Sequence, residues 1–330
     1  MTCRQWLCAL MLCAGALCAL SVQADCSISN PVGSLGSVPS TQTGQPYQTR
    51  VAGGLSCTGT SLQLRAAARA RATILDTSNN FALVNEAGDR IAYGLYSDAA
   101  FNNQLSGNTP YDFVGLYSSN LPELFSGPGG SVPLYVRTRP TQQLSAGTYR
   151  DVVRIQWEYN ECIQLSLAGI CLSRGTTRTA MALLELSMEI TPDCLISAPN
   201  IRFGTAPLVA GFSTVSQSLS LFCTKGSSFQ VGLSPGSNPL GGERHMVSSS
   251  GELLRYRILK PDGTPWRGIG SGLARGHLDA DLNPGLGLGG GPGIGGSQSQ
   301  GFSYRAVIDP DQPTPSPGTY TDQVVITVQF

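Results

Sequence analysis

The chain has 330 residues, with 21 Lys and Arg balanced by 21 Asp and Glu. Zero net charge without a charged run argues against electrostatic binding to nucleic acid or to an anionic membrane as its main task. Forty Gly and 21 Pro disfavour long helices, and the length suits two domains of ordinary size.

Residues 1–24 read as a cleavable signal peptide. Arg4 supplies the positive charge, residues 6–22 are almost uninterruptedly apolar, and Val22-Gln23-Ala24 places small residues for the peptidase. Nothing later approaches the roughly 20 apolar residues that span a bilayer. The mature chain is therefore expected outside the cytoplasm. Cleavage removes Arg4 and four of the 10 cysteines, leaving Cys26, Cys57, Cys162, Cys171, Cys194 and Cys223. An even number in an exported chain predicts three disulfides. Several connectivities satisfy that count. Sequence order suggests Cys26 with Cys57, Cys162 with Cys171, and Cys194 with Cys223.

The remainder repeats itself. Asp25-Cys26-Ser27-Ile28-Ser29 returns as Asp193-Cys194-Leu195-Ile196-Ser197, and Leu55-Ser56-Cys57-Thr58 returns as Leu221-Phe222-Cys223-Thr224. Later, Gly147-Thr148-Tyr149-Arg150-Asp151 returns as Gly318-Thr319-Tyr320-Thr321-Asp322. The halves are read as two copies of one module, residues 25–191 and 192–330. Short runs rich in β-branched and aromatic residues alternate with Gly, Pro, Ser and Asn. Residues 134–137, 218–222, 254–258 and 322–330 are examples, and several strands per module fit an all-β sandwich. Residues 65–73 carry an Ala run that could form a helix, but their neighbours favour a strand.

The copies differ at one point. After its Gly-Thr-Tyr strand, copy one has Leu184, Leu186, Met188 and Ile190 alternating with Glu185, Ser187 and Glu189, the pattern of a half-buried strand. In copy two the Gly-Thr-Tyr strand runs to Phe330 with no such segment after it. The expectation is that copy two lacks a strand, exposes an apolar groove, and borrows a strand from another chain.

These features resemble the spore coat U family, in particular the two-domain tip subunits of archaic chaperone–usher pili. The residues carrying the resemblance are Cys194, Phe203-Gly204, Cys223, Trp266, Tyr304 and Pro317-Gly318-Thr319-Tyr320 in copy two, with Cys26, Cys57 and Gly147-Thr148-Tyr149 in copy one. The resemblance implies two immunoglobulin-like β-sandwiches, the C-terminal one incomplete. It also implies a periplasmic pilus chaperone, an outer-membrane usher and an adjacent pilin subunit as strand donor. Val324, Ile326, Val328 and Phe330 would line the groove. Cys26 directly follows the expected cleavage region and leaves no room for a donor segment, which suits a subunit at the pilus tip on the cell surface.

Adhesive residues are sought among apolar loops. Ile163, Leu165, Leu167 and Ile170 lie between Cys162 and Cys171, where a disulfide would staple a hairpin with an apolar tip. Leu121, Leu124 and Phe125 form a second candidate, beside a stretch 113–117 read as core strand. Tyr93 to Phe101 is a third. The Gly-rich stretch 268–301 has no strand and Lys-bearing helix to make a phosphate loop and reads as a flexible surface loop. His277, Asp279 and Asp281 lie within it without a second nearby histidine, so no metal or cofactor is assigned. No nucleophile elbow or zincin motif points to an enzyme. The leading expectation is an adhesin that contacts an abiotic or host surface in biofilm formation. The alternatives are a structural shaft or coat protein without receptor function, and a secreted hydrolase.

Overall fold

The computed structural model describes residues 25–58, 69–116, 121–161, 166–167, 170–171, 176–289 and 299–330. The N-terminal module contains β1 (Asp25–Ile28), β2 (Val32–Pro39), β3 (Gln48–Thr58), β4 (Ala70–Thr77), β5 (Ala82–Val84), β6 (Arg90–Tyr96), β7 (Pro110–Asp112), the helical turn α1 (Phe113–Leu116), β8 (Ser131–Thr138), β9 (Gly147–Glu161), β10 (Ser166–Leu167), β11 (Ile170–Cys171) and β12 (Thr176–Thr191). The C-terminal module contains β13 (Cys194–Ser197), β14 (Val215–Cys223), β15 (Gln230–Leu233), β16 (Arg244–Val247), β17 (Leu253–Leu259), β18 (Arg275–Gly276), β19 (Gln300–Ile308) and β20 (Ile326–Gln329).

Period-two alternation drives each sheet to bury one face. In β12 the inward row Ala182, Leu184, Leu186, Met188 and Ile190 is buried, against Tyr149, Val153, Ile155 and Trp157 of β9. Trp157 places its indole N–H on the Gly53 carbonyl at 2.8 Å, so its bulk is buried without an orphaned donor. The second core forms around Trp266 and Phe302, with the Trp266 N–H on the Val231 carbonyl at 3.0 Å. Two expected disulfides are present, Cys26 with Cys57 and Cys194 with Cys223, each between directly paired residues of adjacent antiparallel strands. Cys162 lies outside the described residues.

The internal repeat is a repeat of topology. In the first module ten strands form one continuous sheet that curls on itself: β1-β3-β8-β6-β5 make one layer, and β5 joins β9 of the other layer at Val84 and Arg150. The matching layer of the second module is the separate sheet β13-β14-β19-β17-β16. The other layer contains β7-β4-β9-β12-β2 in the first module and the three-stranded sheet β18-β15-β20 in the second. The chain forms two immunoglobulin-like β-sandwiches.

Several sequence expectations are corrected. Residues 113–116 form a helical turn rather than a strand, although Phe113 is fully buried and packs 5.4 Å from Trp157. The strand favoured for 65–73 is borne out at 70–73, while 59–68 fall outside the described residues. Only Ile326–Gln329 of the stretch 322–330 is strand. Part of the Gly-rich stretch is packed, not free. Gly289 N–H bonds the Cys223 carbonyl at 3.0 Å, and a side chain on Gly287 would meet the Thr224 carbonyl. The missing side chain is what lets that backbone come so near β14.

Candidate functional site

The two Gly-Thr-Tyr segments hold their strands in the same way. Tyr149 donates its hydroxyl to the Ser145 carbonyl at 2.7 Å, and Tyr320 donates to the Ser316 carbonyl at 2.8 Å. Each is a tyrosine corner, tying the strand to the loop that enters it. Two residues on, Asp151 accepts from the Tyr93 hydroxyl at 2.7 Å and from the Asn79 N–H at 2.9 Å. Asp322 accepts from the Tyr256 hydroxyl at 2.6 Å and from the Ser237 N–H at 2.8 Å. Burial, and then the neighbouring carboxylate, pushes both phenols far above their ordinary range. The recurring Gly-Thr-Tyr-x-Asp signature was visible in sequence. Its partners Tyr93 and Tyr256 were not, because nothing local marks a residue on a distant strand as the donor.

Beyond these anchors the copies diverge. In the first module β12 lies between β9 and β2, antiparallel to β9 and parallel to β2. It covers Tyr149, Val153, Ile155 and Trp157, all with no exposed surface. In the second module β20 pairs with β15 on one side, and no strand follows it in that sheet among the described residues. Tyr320, Val324, Ile326 and Val328 are only partly buried, and Phe330 is 47% exposed. The segment corresponding to β2, residues 198–208, forms no strand. Between it and residues 320–326 lies a cleft of about 510 Å³ whose walls include Ile201, Phe203, Leu219, Tyr256, Val324 and Ile326. In the first module the strands at the matching places, β9 and β2, flank β12.

Of the residues singled out in the sequence, Val324 and Ile326 line this cleft, and Val328 packs against the same core. Leu124 is a correction: it is fully buried in the first core, with Phe125 packed beside it, because a single turn of 3-10 helix over Leu121–Phe125 tucks it inward. It is withdrawn as a surface residue. The side chains of Leu121, Ile163, Leu165, Leu167 and Ile170 lie outside what is described. The backbones of β10 and β11 pair antiparallel, Leu167 opposite Ile170. His277 shares its Nδ1 with the Phe229 backbone, Asp279 accepts from the Gly276 N–H at 2.6 Å, and Asp281 pairs with Arg275 at 3.1 Å. All three hold the Gly-rich segment in place. No group of three His, Cys, Asp or Glu converges for a metal among the described residues.

No match appears among curated proteins. Among solved structures, the chain is similar to one in the CsuC–CsuE chaperone–tip adhesion subunit pre-assembly complex from archaic chaperone–usher Csu pili of Acinetobacter baumannii. Identity is 26%, with 93% of this chain and 100% of that chain covered and a TM-score of 0.65. The CupB6 tip adhesin from Pseudomonas aeruginosa aligns over 93% of this chain and 94% of its own at 13% identity, with a TM-score of 0.30 that supports no further argument. The Spore Coat Protein U domain model matches residues 14–156 and again 180–327, once per module. The chain belongs to the Spore Coat Protein U domain family.

Proposed function

We propose that this chain is the tip adhesin of a chaperone–usher pilus. In this reading residues 1–24 are removed on export, and residues 192–330 form an incomplete module that accepts a strand from the adjacent pilin subunit. A periplasmic chaperone fills the cleft beforehand and an outer-membrane usher exports the chain to the cell surface. Residues 25–191 form a module finished by its own β12 and free to face a surface. The protein is an adhesion component and not an enzyme. The observation that carries this reading is the cleft beside β20, lined by Ile201, Phe203, Leu219, Val324 and Ile326 among polar rim residues, between the counterparts of the strands that hold β12 in the twin. Covering an apolar cleft is favourable by about 25 cal/mol per Å² of apolar surface removed from water, and the unpaired edge of β20 offers backbone partners.

The test uses the twin's own strand. A second copy of residues 177–191, joined behind Phe330 by a short Gly/Ser linker, should run antiparallel to β20 as β12 runs along β9. The extended mature chain should purify as a monomer that unfolds cooperatively, whereas the unextended chain should be poorly soluble without a chaperone. Purification of the unextended chain as a stable monomer, with amide-exchange protection throughout residues 194–330, would refute the reading.

For adhesion, the apolar sequence of Ile163, Leu165, Leu167 and Ile170 is the contact we assign, with Leu121 and the exposed part of Phe125 in the second loop as the other candidate. Replacing Leu165 and Leu167 together by Asp should abolish attachment of piliated cells to plastic and leave pilus assembly intact. Unchanged attachment would place the contact elsewhere.

A further inference from the structure

A second surface of the N-terminal module has its own architecture. On the outer face of the sheet, Arg50 of β3 stands opposite Tyr135 of β8, which stands opposite Tyr96 of β6. In the next row Gln48 faces Arg137, which faces Gly94. Gly94 is the enabling residue: a Cβ there would lie 2.7 Å from the Tyr96 ring, so the ring lies back across the bare glycine. The loop after β6 then adds Phe101, whose φ of 58° is a left-handed conformation rarely adopted by a bulky residue. Asp98 holds that loop by accepting the N–H groups of Ala100 at 3.0 Å, Asn102 at 3.1 Å and Asn103 at 2.7 Å.

The strained conformation brings Phe101 edge-to-face with Tyr96 at 5.3 Å and with Tyr135 at 6.3 Å. The Arg137 guanidinium stands 5.7 Å over Phe101, and that of Arg50 stands 5.9 Å over Tyr135. Both arginines are exposed, and neither pairs with a carboxylate among the described residues. Gln48, Asn102, Asn103 and Gln104 border the cluster and are exposed too.

We infer that this face binds an acidic polysaccharide of the polyuronate type. Aromatic rings accept the apolar C–H faces of sugars. The two guanidiniums present planar forks suited to carboxylates. As diagonal cross-strand neighbours, Arg50 and Arg137 are rooted about 7–8 Å apart, close enough to meet carboxylates on neighbouring sugar rings. The bordering amides supply donors and acceptors for hydroxyls. A nucleic-acid strand also stacks on aromatic residues, but it needs a cationic track along its backbone, whereas the guanidiniums stacked on this aromatic cluster are the two of Arg50 and Arg137. This site shares no residue with the cleft or with residues 163–170, so it stands or falls independently of the pilus reading.

The experiment is calorimetric titration of the strand-extended mature chain, whose added strand lies in the other module, with alginate oligosaccharides, neutral cello-oligosaccharides and oligo-dT. Phe101→Gly removes the ring and relaxes the left-handed backbone. Arg137→Gln removes one charge at an exposed position. Circular dichroism confirms that each variant keeps its strands. Alginate should bind, more tightly than the neutral oligomer by at least tenfold, and each variant should weaken it tenfold or more. Absence of alginate binding, indifference to both substitutions, or tighter binding of oligo-dT would each overturn the proposal.

Discussion

Ile155 and Ile326 stand at the same distance after their corner tyrosines, yet they live in different surroundings. Ile155 faces Ala182 of β12 on one side and Ile74 of β4 on the other, and has no exposed surface. Ile326 pairs with Leu233 of β15 and otherwise borders the cleft. A buried Ile→Ala substitution costs about 2–5 kcal/mol, because transfer and cavity terms add. Ile155→Ala should fall in that range in urea unfolding of the strand-extended chain, and of the unextended chain kept dilute enough to stay monomeric. Ile326→Ala should cost well under half as much in a chain whose cleft is open, since the wall can relax into it. In the chain extended by a copy of residues 177–191 the cost of Ile326→Ala should rise to match Ile155→Ala. Equal costs with and without the extension would mean that the added strand does not seat beside β20.

At the scale of elements, what could be read in advance was whatever repeats within a sheet's own period. The alternation of Leu184, Leu186, Met188 and Ile190 is local information, and the strand it announced is β12, buried on that row. The doubled Cys and Gly-Thr-Tyr-x-Asp signatures announced two copies because each fixes a local anchor, a strand-pairing disulfide or a tyrosine corner, that recurs at the same place in both modules. Failures cluster where a distant partner decides. Leu124 sits in a Pro- and Gly-flanked loop, which reads as exposed, but its turn is closed down onto the core. The same holds for Gly287, whose role is set by the approach of Thr224. Residues 322–325 have strand-forming composition, yet Asp322 is drawn to the Tyr256 hydroxyl and the Ser237 N–H. The Val325 N–H is taken by the Ser234 hydroxyl, so the regular ladder begins only at Ile326. Tyr96, Phe101 and Tyr135 show the same limit: aromatic composition was visible, whereas their convergence depends on a glycine's missing side chain and one left-handed residue.

For the molecule as a whole, the junction decides whether two sandwiches behave as one rod. Only Pro192 and Asp193 separate β12 from β13. Across the joint, the buried Ser40 and Thr224 hydroxyls share a hydrogen bond at 2.5 Å, and the Thr41 hydroxyl donates to Asp193 at 2.5 Å. Asp89 of the first module accepts from Lys225 of the second at 2.5 Å, and from the Ser145 N–H and hydroxyl at 2.8 and 2.7 Å. Burial opposes the charge on Asp89. The Lys225 hydrogen bond, those from Ser145 and the attraction of Lys225 together outweigh it, so its carboxyl titrates below the usual range. A depressed carboxylate pKa stabilises the fold above the unfolded value near about 3.9, and that contribution disappears as pH falls through the folded value. Because the Lys225 end is open to solvent, the pair is worth about 0.2–1 kcal/mol rather than more. Asp89→Asn should therefore lower the unfolding free energy of the strand-extended chain by that amount at pH 7 and at pH 5. The gap between the two proteins should narrow below about pH 3.9 and vanish once the wild-type carboxyl is protonated. Raising salt at pH 7 should shrink it as well, because the exposed partner is screened. A gap that persists unchanged at pH 2 would show that the substitution acts through packing at the joint and not through the charge that bridges the two modules.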